Sequence, residues 1–247
     1  MYQAAFESNP EAVQALVEAG ANLNQANNDG FTPLHIAAQE GAVEVARVLV
    51  GAGADLNRVD TAGCTPLCLA ALFGEVEVVR ALVEAGANLK LADKDGCTLL
   101  HGAAVGDEVE FVRALAKAGV DLNLANKLDC TPLNIAAKED KVEKVRALVE
   151  AGADLNHADG DLLTPLCNAV SCGNVEVVRV LIKAGANLNY RDGEALLSAV
   201  ESGNVEVVRV LVEAGADPNQ AAEDNTTTPL SIAKSLGNAA VLLALTS

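Results

Sequence analysis

The chain has 247 residues and a net charge of −17, because 34 Asp and Glu outnumber 17 Lys and Arg. This acidity disfavours nucleic acids and anionic membrane surfaces as partners, since both attract basic surfaces. Hydrophobic residues make up 51% of the chain but aromatic residues only 2%, so we expect a core of alanine, valine and leucine. No apolar run reaches the ~20 residues of a membrane span, and the N-terminus has no signal-peptide pattern. Six scattered cysteines are typical of reduced thiols, which predicts a cytoplasmic or nuclear protein.

The predicted elements begin with an incomplete terminal unit, residues 1–26, whose second helix starts at an Asn-Pro pair. The next 33 residues carry a fuller pattern. Thr32 and Pro33 predict the start of a short helix, because Thr caps a helix N-terminus and Pro suits its first turn. Gly41 predicts the end of that helix. A second helix, "AVEVARVLVGAG", and a polar connector, "ADLNRVDTAG", complete the unit.

This unit recurs along the whole chain. The glycine that ends the second helix returns five times at a spacing of 33 residues and once at 30: Gly20, Gly53, Gly86, Gly119, Gly152, Gly185 and Gly215. Thr-Pro-Leu or Thr-Leu-Leu opens the first helix at Thr32, Thr65, Thr98, Thr131, Thr164 and Thr228. One unit cannot bury its apolar face alone, whereas stacked units form a continuous core. We therefore predict one domain over residues 1–247, in which terminal units (1–26 and 222–247) enclose six internal repeats (27–221).

Some units depart from the pattern where other units have glycine. The replacements are Asp129 and Leu162 in connectors, and Asp107 and Asp140 at the ends of first helices. Residues with a Cβ adopt left-handed backbone geometry at a cost, so these sites predict local irregularity. The unit that contains Leu196 also lacks the Thr-Pro pair and has a connector three residues shorter. We expect irregular connectors over residues 126–131, 158–164 and 189–195.

The stretch "DGFTPLHIAAQEGAVEVARVLVGAGADLN" resembles the ankyrin repeat almost throughout, and the resemblance covers essentially the whole chain. It implies an all-α fold in which antiparallel helix pairs stack into a solenoid with projecting, hairpin-like connectors. It also implies binding of a protein partner through the connector tips and the inner face of the first helices.

The three histidines do not form a catalytic constellation. His35 and His101 hold the same place in their repeats, and no nucleophile or base recurs with them. In ankyrin repeats this histidine is structural and hydrogen-bonds neighbouring connectors. His157 lies in a connector, where we expect it to be exposed.

The cysteines do not predict a metal site either. Cys64, Cys97 and Cys130 recur every 33 residues. Helices of successive repeats pack ~8–10 Å apart, which is too far for a disulfide or for shared zinc coordination. We therefore predict no metal, no cofactor and no catalytic function.

The pair Leu72-Phe73 differs from its counterparts at the end of the other first helices. Those counterparts are mostly polar or small: Gln39-Glu40, Val105-Gly106, Lys138-Glu139, Ser171-Cys172, Glu201-Ser202 and Ser235-Leu236. Exposed contiguous apolar patches usually mark interaction sites. We predict a partner-binding strip on the inner face, made of Phe31, Gln39, Glu40, Cys64, Leu72, Phe73, Cys97, Val105, Leu128 and Leu163. The alternative is that Phe73 folds back onto its neighbours and contributes only to packing.

The sequence thus predicts a monomeric, non-catalytic module or adaptor that binds a protein of unknown identity. A passive spacer, or a repeat fragment of a larger protein, is the alternative. An enzyme is a third class, for which the sequence offers no set of residues.

Overall fold

The structure is a computed structural model that describes residues 1–106, 108–221 and 226–246. The chain divides into two compact units, residues 1–127 and 128–247. The described residues form sixteen α-helices and one 3-10 turn and contain no β-strand. The expected all-α architecture of helix pairs is therefore confirmed.

The first unit contains four helix pairs, each with a short first helix followed by a second helix. They are α1 (Tyr2–Phe6), α2 (Pro10–Glu18), α3 (Pro33–Gln39), α4 (Val43–Gly51), α5 (Pro66–Phe73), α6 (Val76–Glu84), α7 (Leu99–Val105) and α8 (Val109–Lys117). First helices pack on first helices, from α1 through α3 and α5 to α7. Second helices pack likewise from α2 through α4 to α6.

The second unit repeats this plan with four more pairs. They are α9 (Pro132–Lys138), α10 (Val142–Glu150), α11 (Pro165–Cys172), α12 (Val175–Lys183), α13 (Glu194–Glu201), α14 (Val205–Glu213), α15 (Pro229–Leu236) and α16 (Ala239–Thr246). The 3-10 turn Tyr190–Asp192 precedes α13. First helices again stack from α9 to α15 and second helices from α10 to α16.

The core consists of leucines and alanines, as the composition predicts. Each internal first helix buries a leucine almost completely: Leu34, Leu67, Leu100, Leu133, Leu166 and Leu196. Alanine pairs such as Ala37-Ala38 and Ala70-Ala71 are buried beside them. Their small side chains let neighbouring first helices approach closely, so that each leucine packs on the next repeat.

Six of the eight first helices begin at the threonine that the sequence predicts, whereas α1 follows Met1 and α13 follows Gly193. Thr65 accepts a hydrogen bond at its side-chain oxygen from the backbone N–H of Cys68, and Pro66 follows at the first helical position. A capping box adds a second contact in α3, where the side chain of His35 reaches back to the backbone of Thr32. These bonds satisfy backbone groups that a helix terminus would otherwise leave unpaired.

Successive connectors are joined by backbone hydrogen bonds within each unit. The N–H of Thr61 donates to the carbonyl of Asp29 (2.9 Å), and the N–H of Lys94 donates to that of Ala62 (2.9 Å). Gly63 lies in this contact with φ of +91°, and a Cβ placed on it would lie 2.6 Å from the nitrogen of Lys94. Glycine is therefore required there by both backbone geometry and space.

The predicted irregularity is confirmed for the connector over residues 189–195, whereas the connectors at Asp129 and Leu162 keep the regular turn with a residue other than glycine in it. Asp129 and Leu162 have φ of +52° and +63°, the left-handed geometry that glycine adopts in the regular connectors. In the short connector, Arg191 and Asp192 also have positive φ, within the 3-10 turn. Asp140, in the turn between α9 and α10, has φ of +54°, whereas Asp107 lies outside the described residues.

Candidate functional site

Leu72 and Phe73 form the last turn of α5, and both remain in contact with solvent. Leu72 is 45% exposed and Phe73 52% exposed. Gly74 follows with φ of +78° and reverses the chain toward α6. Ala70 and Ala71, the two residues immediately before them, are buried. The helix therefore buries its small residues and leaves its two largest terminal side chains half in water.

Val105 occupies the same place in α7, the next first helix, and is 38% exposed. The two helices approach closely beside it, because a Cβ placed on Gly102 would lie 3.7 Å from the backbone nitrogen of Leu72. Leu72, Phe73 and Val105 are the exposed apolar residues at the ends of these two packed helices. We call these three residues the α5–α7 patch.

The remaining residues predicted for the first unit are more enclosed or more polar. Gln39 is half-buried and Glu40 is exposed at the end of α3. Phe31 is half-buried and its ring stacks on the imidazole of His35, with centroids 5.6 Å apart. Cys64 and Cys97 are half-buried in connectors. These residues flank the α5–α7 patch in sequence order, but their side chains are largely engaged in the connectors.

The cysteine thiols of the connectors are poor nucleophiles. Burial, together with the charge of Asp60 and the neighbouring thiols, raises the pKa of Cys64 to about 12. Burial also raises the pKa of Cys97, although a hydrogen bond from Asn126 Nδ2 to its sulfur (3.5 Å) opposes that shift. Neutral thiols neither attack substrates nor bind metals readily.

The two predicted residues of the second unit differ in exposure. Leu128 is 71% exposed, whereas Leu163 is half-buried. The carbonyl of Leu163 accepts a hydrogen bond from Asn134 Nδ2 (3.2 Å). Leu128 is thus available to solvent, and Leu163 is held by the repeat that precedes it.

His35 and His157 make structural hydrogen bonds to the backbone of connectors. His35 Nδ1 accepts from the backbone N–H of Thr32 (3.0 Å), and its Nε2 lies 3.1 Å from the carbonyl oxygen of Cys64 in the next repeat. His157 differs from the expectation of an exposed side chain. It is half-buried, and its Nε2 lies 3.0 Å from the carbonyl oxygen of Asp129 in the preceding connector.

The comparisons with known proteins agree with this arrangement. A family model described as ankyrin repeats, which spans three copies, matches residues 1–93, 67–159, 118–192 and 157–222. The chain belongs to the ankyrin repeat family. Among curated proteins, no match was found.

Membership of the ankyrin repeat family gives the helix pairs their name and a general role. The stacked pairs are those of an ankyrin solenoid, and ankyrin repeats generally mediate protein–protein interaction. Ankyrin repeat proteins are typically interaction modules without enzymatic activity. The described residues contain no group of three or more His, Cys, Asp or Glu that could hold a metal ion. Within the same ranges, no helix has both the length and the apolarity needed to cross a bilayer.

The sequence does not predict one further surface of this ankyrin domain. An apolar groove of about 350 Å³ lies between α6 and α8 in the first unit. The available signal was Phe111, which takes the helix position that Val45 and Val78 hold in α4 and α6. A single aromatic residue within a valine-rich helix is expected to be an ordinary core residue, so it does not predict a groove.

Proposed function

We propose that this chain is a non-catalytic protein-binding module whose partner contacts the α5–α7 patch. Exposure of Leu72 and Phe73 is the observation that carries the proposal. Aromatic and large aliphatic side chains that lie half in water bury the most apolar surface when a partner covers them. The first helices of the other internal repeats end in residues that offer less such surface, so the partner is expected to contact this repeat first.

The polar residues beside the patch would determine the orientation of the bound partner rather than its affinity. Glu40, at the end of α3, and Gln39 offer hydrogen-bonding groups at one edge of the patch. Leu128, exposed at a connector tip of the second unit, is a separate candidate contact. Polar rims commonly surround an apolar centre in protein interfaces. The predicted contacts at Phe31, Cys64, Cys97 and Leu163 would then be made by connector edges, since these side chains are half-buried.

The remaining parts of the proposal follow from composition and repeat pattern. We expect one ankyrin domain over residues 1–247 that acts as a monomer in the cytoplasm or nucleus. The net charge of −17 favours a protein partner with basic segments over a nucleic acid. No cofactor or metal is part of this function.

The test is a paired capture with a matched control. Three forms of the chain are immobilised: wild type, Leu72→Ser/Phe73→Ser and Lys138→Ser/Glu139→Ser. The proteins that bind to each form are identified by mass spectrometry. The control pair occupies the same position in α9 and is exposed, so it changes a first-helix end without touching the patch. A protein held by wild type and by the control, but lost from the patch variant, supports the proposal.

After purification, that protein must bind wild type and the control more tightly than the patch variant. Equal capture by all three proteins would place the site elsewhere. Lists that remain empty for all three would favour the alternative, a passive spacer or repeat fragment. Each variant is first matched to wild type by its melting temperature, so that loss of binding is not loss of folding.

A further inference from the structure

A second apolar surface of the first unit lies among the second helices. The pairs α2–α4 and α4–α6 pack directly, whereas α6 and α8 make less contact with each other. The space between them is the groove of about 350 Å³. Most of its lining is apolar, and the charged residues of the lining are Arg80, Glu84 and Glu110. The apolar surface includes Val79 and Val83 of α6, and Phe111, Ala114, Leu115 and Ala118 of α8 or just beyond it. We call this the α6–α8 groove.

The size of Phe111 accounts for the separation of the two helices. Valines at the same position of α4 and α6, Val45 and Val78, are fully buried, and Phe111 is nearly so at 6% exposed. A phenyl ring in a space that holds valine in the neighbouring repeats pushes the packed elements apart. Ala114 and Ala118 are too small to refill the resulting gap. The groove is therefore open, although its floor is core-like.

The groove leaves more apolar surface in water than the closed pairs of second helices do. Val83, at its edge, is 37% exposed where its counterpart Val50 is half-buried, and Ala114 is exposed where Ala81 is half-buried. Volumes of about 300–1,000 Å³ with mostly apolar linings are typical of sites that receive a ligand or an anchoring side chain. A groove at the lower end of that range accommodates one or two large side chains rather than a whole helix.

The charge at the rim selects the occupant. Arg80 pairs with Glu77 (3.4 Å), whereas Glu84 takes part in no ion pair among the described residues. Glu84 is also the last residue of α6, where the helix dipole places partial negative charge. A carboxylate at a helix C-terminus is unfavourable by itself and attracts a cation. The net charge of −17 adds a long-range attraction for basic segments.

We propose that the α6–α8 groove binds a basic amphipathic segment of a partner protein. One or two of its large apolar side chains enter between Val83 and Phe111, and a Lys or Arg beside them pairs with Glu84. This site is independent of the α5–α7 patch, since the two surfaces share no residue. A partner could therefore occupy either surface, or two partners could occupy both.

The probe for this site is a fluorescein-labelled helical peptide of about 14 leucines and lysines, with leucines at i, i+3, i+4 and i+7. A leucine–glutamate peptide of the same pattern is its counterpart. Binding is measured by anisotropy at about 150 mM salt, so that non-specific attraction between exposed charges is screened. The lysine peptide is expected to bind wild type, and the glutamate peptide is not.

Five variants locate the site. Ala114→Leu fills the groove and is expected to weaken binding by about tenfold, while Ala81→Leu, the same position in the closed α4–α6 pair, stays within about twofold of wild type. Glu84→Gln is expected to weaken binding by about threefold, and Glu18→Gln, its counterpart in α2, to leave it unchanged. Leu72→Ser/Phe73→Ser should also bind normally, because the patch and the groove are separate.

A measurement on the wild type keeps the test independent of variant folding. Titration with the lysine peptide is expected to shift the methyl resonances of Val79, Val83 and Leu115 and to spare those of Leu72 and Val105. Shifts confined to Leu72 and Val105, or equal binding by Ala114→Leu, would overturn the proposal. Equal binding of the glutamate peptide, or a concentration-dependent dimer that Ala114→Leu abolishes, would overturn it as well.

Discussion

The imidazole of His35 joins two successive repeats through the backbone of Cys64. Its Nδ1 accepts from the N–H of Thr32, which fixes the hydrogen on Nε2, and Nε2 donates to the carbonyl of Cys64 at 3.1 Å. Asn134 makes the equivalent contacts in a later repeat: Oδ1 accepts from the N–H of Thr131 (3.0 Å), and Nδ2 donates to the carbonyl of Leu163. The repeat therefore requires an acceptor and a donor at this place, and both side chains supply them without charge.

The first prediction concerns pH. Burial lowers the pKa of His35 below 6.5, although its bond to the Cys64 carbonyl and the charge of Asp60 partly oppose this. The unfolded chain therefore binds more protons, so the contribution of His35 to stability is present above pH 6.5 and is lost as pH falls below it. The unfolding free energies of wild type and His35→Asn, measured in urea between about pH 7.5 and pH 5, should converge as pH falls. Parallel curves would contradict this.

The second prediction separates buried from exposed large side chains. Leu34→Ala should lower the free energy of unfolding by about 2–5 kcal/mol, because Leu34 is completely buried and its removal leaves a cavity. Phe73→Ala should lower it by less than about 1 kcal/mol, since half of the ring is in water. Denaturant unfolding of both variants checks the contrast, and a similar loss for both would show that Phe73 serves mainly in packing.

The third prediction compares two glycines of the first unit. Gly63→Ala should lower stability by about 1–3 kcal/mol, because φ is +91° and the new Cβ would meet the backbone of Lys94. Gly102→Ala should raise stability by about 0.5–1 kcal/mol, because it lies within α7 and the new Cβ would meet nothing closer than 3.7 Å. Melting temperatures that move in opposite directions would confirm the pair, and a loss in both would contradict it.

The fourth prediction concerns the strained connector at Leu162. This leucine has φ of +63° and is 53% exposed, so it stores backbone strain without compensating burial. Leu162→Gly should raise the free energy of unfolding by up to about 1 kcal/mol. Chemical denaturation is the measurement, with Leu128→Gly as the control for loss of an exposed leucine. Stabilisation by the control to the same extent would exclude backbone strain as the cause.

The fifth prediction concerns thiol reactivity. The pKa of Cys64 is raised to about 12, so almost none of it is thiolate near neutral pH. Cys172 is exposed at the end of α11 and should react with iodoacetamide first. Alkylation at about pH 8, followed by peptide mass spectrometry, should label Cys172 long before Cys64. Equal rates in the native protein would contradict the assigned burial of Cys64.

Much of this ankyrin fold is predictable because each element depends on local residues at a fixed spacing. Thr65 and Pro66 start a helix by satisfying its own backbone, and Gly74 ends it by its own φ. The strained connector at Leu162 is equally predictable, because the repeat shows where glycine is missing. Exposure of Leu72 and Phe73 followed from comparing one repeat with its siblings, which share the same surroundings.

Only the tertiary structure decided how far apart neighbouring elements lie and which of their groups come into contact. Phe111 reads as one more buried side chain, and only the packing shows that its size leaves α6 and α8 apart. His157 reads as exposed, yet the adjacent connector brings the carbonyl of Asp129 within hydrogen-bonding distance. The sequence therefore determined the helices, the turns and the order of stacking, since these depend on short-range chemistry. Gaps and contacts between repeats depend on distances between residues about 30 positions apart, which are set only when the repeats pack together.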